Sequence, residues 1–180
     1  MISKLAQSFV ILSSLAVLAF APSGAFADDK IKDSGSYDGT YTKRELLPIP
    51  DQEGHALMLT ESTGSAVYPG GPLDGFSVVT REIADLRQGN GPHQGYVVFS
   101  KGDDQQVVRF EGTVTTTMKD GKPNTTMTGT YAIIGATGVL AGRAGEGTYA
   151  GYFTAEDKYQ LNWDGHMTPQ KDAMASPGKN

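Results

Sequence analysis

No cysteine occurs anywhere in the 180 residues. That absence excludes thiolate nucleophiles, disulfides, cysteine-ligated metals and a lipid-modified N-terminal cysteine. Stability must then come from packing and backbone hydrogen bonds. Histidine is nearly as scarce, with His55, His93 and His166 too far apart in sequence to form H-x-H or H-E-x-x-H. No metal site is expected from them, and each reads as a surface or loop residue. There is no G-x-S-x-G elbow for a nucleophilic serine and no phosphate-binding Gly-Lys-Ser/Thr run. No cofactor is expected. Helix-period patterning is absent outside the first 27 residues, so a helical body is excluded as well.

The single long apolar run is N-terminal. Lys4 precedes a stretch from Leu5 to Ala21, and Ala25-Phe26-Ala27 follows with the small-x-small pattern of a signal peptidase site. Residues 1–27 are therefore read as a signal peptide, and the mature chain as exported to the periplasm or the medium. A retained membrane anchor is the competing reading, and the polar Asp28-Asp29-Lys30 weighs against it. Without Lys4 the 15 basic residues become 14 against 20 acidic ones, a formal charge of −6 with histidine neutral. No basic stripe is present, which disfavours nucleic acid and, after cleavage, anionic membrane surfaces.

Residues 28–36 are polar and aperiodic, a flexible lead, and residues 168–180, with Pro169, Pro177 and Gly178, form a loose tail. The body between them, residues 37–167, is of single-domain size. β-Branched and aromatic enrichment with alternation marks eight strands. They lie near Gly39–Leu46, His55–Thr63, Phe76–Leu86, Gly95–Lys101, Gln105–Met118, Thr125–Ile134, Glu146–Ala155 and Lys158–Met167. Gly- and Pro-bearing turns separate most of them, so neighbours must run antiparallel. An all-β, eight-stranded closed barrel removes every exposed edge. A two-sheet sandwich satisfies the same strand count.

Glycine is the abundant punctuation, most of all from Gly129 to Gly147. Phe110-Glu111-Gly112, Gly129-Thr130-Tyr131, Ile134-Gly135-Ala136-Thr137-Gly138 and Ala144-Gly145-Glu146-Gly147 together resemble the signature region of allene oxide cyclase-like and dirigent-like barrels. The resemblance spans about residues 107–167. It implies a calycin-type barrel, and it makes conceivable a cofactor-independent cyclase or isomerase and assembly into a dimer or trimer. It places no early-strand catalytic residue.

Eight aromatics are candidates to line the lumen: Tyr96, Phe99, Phe110 and Tyr131 in the middle strands, and Tyr149, Phe153, Tyr159 and Trp163 in the last two. Together they suit a small hydrophobic ligand, although a barrel of this size is equally able to be filled by its own side chains. In the last strand Tyr159, Leu161, Trp163, Gly165 and Met167 share one face. Among charged residues inside strands, Glu61, Arg81, Glu82, Arg109 and Glu111 are candidates for acid–base work, with Glu111 and Arg109 the chosen pair. An inward carboxylate would lose solvation and hold its proton more tightly, as acid–base chemistry near neutral pH needs. The plainer reading is that these charges face water. Three functions remain open: carriage of a small apolar molecule, its cofactor-independent isomerisation, or a filled barrel that assembles through its outer wall.

Overall fold

The computed structural model describes residues 30–168. Eight strands follow one another: β1 (Ile31–Pro48), β2 (His55–Val67), β3 (Ser77–Arg87), β4 (Gly91–Lys101), β5 (Asp104–Lys119), β6 (Lys122–Thr137), β7 (Gly145–Ala155) and β8 (Lys158–Met167). Each pairs antiparallel with the next, and β8 closes on β1 from Ile31 opposite Met167 to Thr40 opposite Lys158. The closed barrel is therefore established and the sandwich is excluded. Residues 1–27, expected to be a signal peptide, and residues 169–180 of the expected C-terminal tail lie outside the described residues.

Strand β1 corrects the expected flexible lead. Residues 31–36 pair along β8, and Asp33 within them is buried at 2% exposure. Polar residues can be strand here because the closing ladder with β8 pairs their backbone, and from Ser36 onward β2 pairs the other side. A bulge between Tyr41 and Lys43 then shifts the alternation of β1 by one residue.

Side chains alternate between lumen and outer wall around the cylinder. Inward residues include Val108, Phe110 and Val114 of β5, and Tyr159, Trp163 and Met167 of β8, all buried. The β8 face follows the pattern set out from sequence. Each aromatic ring removes roughly 150–250 Å² from water, about 4–6 kcal/mol at about 25 cal/mol per Å².

Glycine makes room for those rings. A Cβ on Gly165 would stand 2.6 Å from the Tyr131 hydroxyl, one on Gly129 2.5 Å from the Tyr149 hydroxyl, and one on Gly35 2.6 Å from the Trp163 ring. The barrel thus exchanges a side chain on one strand for a large ring reaching across from another. Many of the glycines serve this close approach and not a turn.

The two ends differ. At the end where β1 begins, Leu73 and Phe76 of the β2–β3 connection and Leu140 of the 3-10 turn Gly138–Leu140 are buried at 4% exposure or less and stop the cylinder. At the opposite end the long β1–β2 and β5–β6 hairpins run past the core, leaving Leu46 and Met118 exposed.

Candidate functional site

The interior of the cylinder holds a cavity of only about 50 Å³. A ligand pocket is usually several hundred Å³, and this volume suits a water molecule or two. The lumen is filled, so a ligand held along the barrel axis is excluded for this conformation. Of the eight aromatics expected to line it, Phe99, Phe110, Tyr131, Tyr149, Tyr159 and Trp163 do so. They fill the space they were expected to enclose. Phe153 sits instead at the open end, stacked on Tyr41 with centroids 6.0 Å apart, and Tyr96 is half exposed on the outer wall.

The open end holds a vestibule of about 610 Å³. Tyr41, Leu86, Val114, Met127 and Phe153 supply its apolar surface, and Glu82 lines both this vestibule and the small cavity below. Val114 and Met127 are buried, while Leu86 is only half-buried because it meets the opening. Size and lining both suit a small molecule.

Glu82 begins a hydrogen-bonded chain that crosses the barrel interior from β3 and β4 to β7. Its Oε1 lies 2.8 Å from His93 Nδ1, and His93 Nε2 lies 2.7 Å from the Tyr149 hydroxyl. The Glu82 and His93 side chains are 6% and 2% exposed. β3 turns Val78, Thr80, Glu82 and Ala84 inward, and β4 turns His93, Val97 and Phe99 inward from the adjoining strand. Burial, then the charge of Glu82, raises the Tyr149 phenol well above the ordinary tyrosine range, so it remains a donor. Its hydroxyl has no acceptor among the described residues besides His93 Nε2. With the phenol donating to Nε2, Nδ1–H donates to the Glu82 carboxylate.

Sequence reasoning included Glu82 among five candidates but did not select it, and it read His93 as a loop residue. Both readings are corrected by burial. The signal for His93 was the alternation His93, Gly95, Val97, Phe99, which Pro92 obscured at the start of the strand. Pro92 is tolerated because the β3 ladder reaches only His93. His55 is also buried, bridging Asp51 and Asp85, with Asp85 Oδ1 2.7 Å from Nε2.

Arg109 and Glu111, the expected catalytic pair, lie on the outer wall. Their side chains are 57% and 68% exposed and their charges 4.0 Å apart. Inward Phe110 lies between them in sequence, and the period of two puts both neighbours outside. Arg81 likewise faces out and donates to Glu61 Oε2 at 2.9 Å. Arg109, Arg81 and Glu61 border an outer groove with Tyr96, Leu59 and Ile83, and it shares only Glu82 with the vestibule.

A second buried carboxylate, Asp33, lies toward the stopped end. The Tyr131 hydroxyl and Trp163 Nε1 donate to it at 3.3 and 3.4 Å. Burial lowers the affinity of Arg143 for its proton, and the charge of Asp33 works against that shift. This cluster ties the strand wrongly read as a flexible lead to β6 and β8.

No protein-family model matches the chain, and no curated protein matches it. Among solved structures, a pterocarpan synthase dirigent protein is similar at 13% sequence identity and a TM-score of 0.45, over 84% of this chain and 92% of that one. The closed eight-stranded architecture of this chain rests on its own strand pairing.

Proposed function

We propose that this is an exported binding protein for a small, predominantly apolar molecule, taken up without a cofactor at the open end of the barrel. The observation that carries this reading is the asymmetry of the cylinder: one end is stopped by Leu73, Phe76 and Leu140, the other opens on about 610 Å³ where an apolar floor of Tyr41, Leu86, Val114, Met127 and Phe153 is bordered by Arg44, Glu82, Asn124 and Glu156. Export is supported by the sequence of residues 1–27. The test is titration with an environment-sensitive apolar dye. Val114→Trp, which places an indole in the vestibule, should weaken dye binding at least tenfold, whereas Leu59→Trp on the outer wall should bind as the wild type does. Equal binding by both variants and the parent would place the dye elsewhere and refute the reading.

One observation favours a second reading, a cofactor-independent isomerase acting on the same molecule. The chain Glu82–His93–Tyr149 connects a carboxylate at the vestibule to an imidazole and a phenol through hydrogen bonds of 2.8 and 2.7 Å. Such a chain moves a proton to or from a bound molecule when Glu82 accepts or releases one at its free oxygen. Under this reading His93→Gln lowers turnover of any substrate by at least a hundredfold, and turnover within threefold of the wild type would dismiss it.

A further inference from the structure

We infer that the vestibule recognises a protonated amine carried on an apolar body, with Glu82 as its counter-ion and Tyr41 and Phe153 as its aromatic wall. This inference rests on the vestibule being the binding site and adds the chemical class of the ligand's polar head.

The charge arithmetic comes first. Glu82 is a nearly buried carboxylate whose one protein partner among the described residues is His93. Both ring nitrogens of that imidazole are occupied, Nδ1 by Glu82 and Nε2 by the Tyr149 hydroxyl. Buried carboxylates are normally matched by a cation, and none of the described lysines or arginines forms an ion pair with this one.

The geometry of the carboxylate comes second. His93 occupies Oε1, and no hydrogen bond among the described residues reaches Oε2. That oxygen is not among the buried polar atoms lacking a partner, so it meets open space, and the spaces Glu82 borders are the small cavity, the vestibule and the outer groove. It is an acceptor aimed at a ligand. An ammonium donates there; a carboxylate or phosphate would meet like charge.

The aromatic wall comes third. Tyr41 and Phe153 stack within the vestibule, and Tyr159 lies against both, 5.4 and 6.3 Å away between centroids. The negative face of such rings attracts a cation. Tyr41 already holds one, since the Arg44 guanidinium lies 4.6 Å from its ring centre while donating to the Glu156 carbonyl at 2.9 Å. Tyr37, Tyr149 and Tyr159 line the small cavity together with Glu82, and Tyr41 lines the vestibule with it.

Three probes with one body and different heads test this: 4-butylbenzylammonium, 4-butylbenzyl alcohol and 4-butylbenzoate, titrated calorimetrically at pH 7 into the full mature protein. The expected order is ammonium at least tenfold tighter than alcohol, with benzoate weakest. In Glu82→Gln, the ammonium and the alcohol should bind alike. Ammonium and alcohol within twofold of each other in the wild type would overturn the inference while leaving vestibule binding intact, and this comparison needs no variant to fold. A preference that survives Glu82→Gln would overturn it too. If none of the three binds, the vestibule reading falls with it.

Discussion

Gly39→Ala is the sharpest test of how this barrel is packed. Gly39 faces inward on β1 opposite Tyr159, and a methyl there would stand 2.5 Å from Tyr159 Cε1 and 2.6 Å from its hydroxyl. Ordinary contact needs about 3.5 Å or more, so the ring must retreat by about 1 Å. It has little room, being packed against Tyr37, Tyr41 and Phe153. Overpacking of this kind costs about 1–3 kcal/mol. The retreat also breaks the 2.7 Å hydrogen bond between the Tyr159 and Ser62 hydroxyls, both buried, for about another 1–3 kcal/mol. The loss of unfolded-state entropy on replacing glycine returns roughly 0.5–1 kcal/mol. A net destabilisation of about 3 kcal/mol is a large share of the ~5–15 kcal/mol typical of a domain, and should lower Tm by about 10 °C. Urea unfolding followed by the lone Trp163 measures it. Gly135→Ala is the control: no atom lies within 4 Å of its added methyl and its φ is not positive, so it should shift stability by less than about 0.5 kcal/mol. Removing the ring as well, in Gly39→Ala with Tyr159→Leu, should recover at least ~1 kcal/mol relative to additivity. Equal stability of Gly39→Ala and Gly135→Ala would refute the exchange of side chain for ring.

Tyr149→Phe removes the donor to His93 Nε2 and leaves a buried acceptor unpaired, so it should cost about 1–3 kcal/mol in urea unfolding, whereas the exposed Tyr152→Phe should cost under about 0.5. Arg109→Ala and Glu111→Gln should each change stability by less than about 0.5 kcal/mol and leave dye binding unaltered, because their pair is exposed on the outer wall. The hydrogen bonds of Asp51, then Asp85, raise the proton affinity of His55 above the ordinary histidine value. A folded-state value raised above the unfolded one contributes stability that is complete below about pH 6.5 and fades as pH climbs through the folded value. Urea midpoints should therefore fall on going from about pH 6 to 8, and His55→Gln should flatten that slope; a slope unchanged in the variant would free His55 of the role.

The strand count, the antiparallel order and the inward face of β8 were legible in the sequence, because alternation over eight to ten residues leaves one register that buries apolar side chains. The run Tyr159, Leu161, Trp163, Gly165, Met167 shows it, and all but Leu161 are buried. Less legible was anything that depends on which face of a mixed strand turns inward. In β3, Arg81 and Glu82 are neighbours of similar polarity, and only the closed cylinder makes one a surface ion pair and the other a buried acceptor. In β5, Phe110 turning inward carries Arg109 and Glu111 out.

The amino-acid order by itself determined that an all-β body without disulfides would form, since local periodicity and turn chemistry act over a few residues and need no distant partner. Tertiary closure decided the rest. It made residues 31–36 a strand by giving them β8 to pair with, and it set the rings of Tyr131, Tyr149 and Trp163 over glycines far away in the chain. By bringing Glu82, His93 and Tyr149 from three strands into one hydrogen-bonded chain, it also moved the open space from the axis to one end. Volume and charge balance belong to the assembled interior, where side chains distant in sequence compete for the same space.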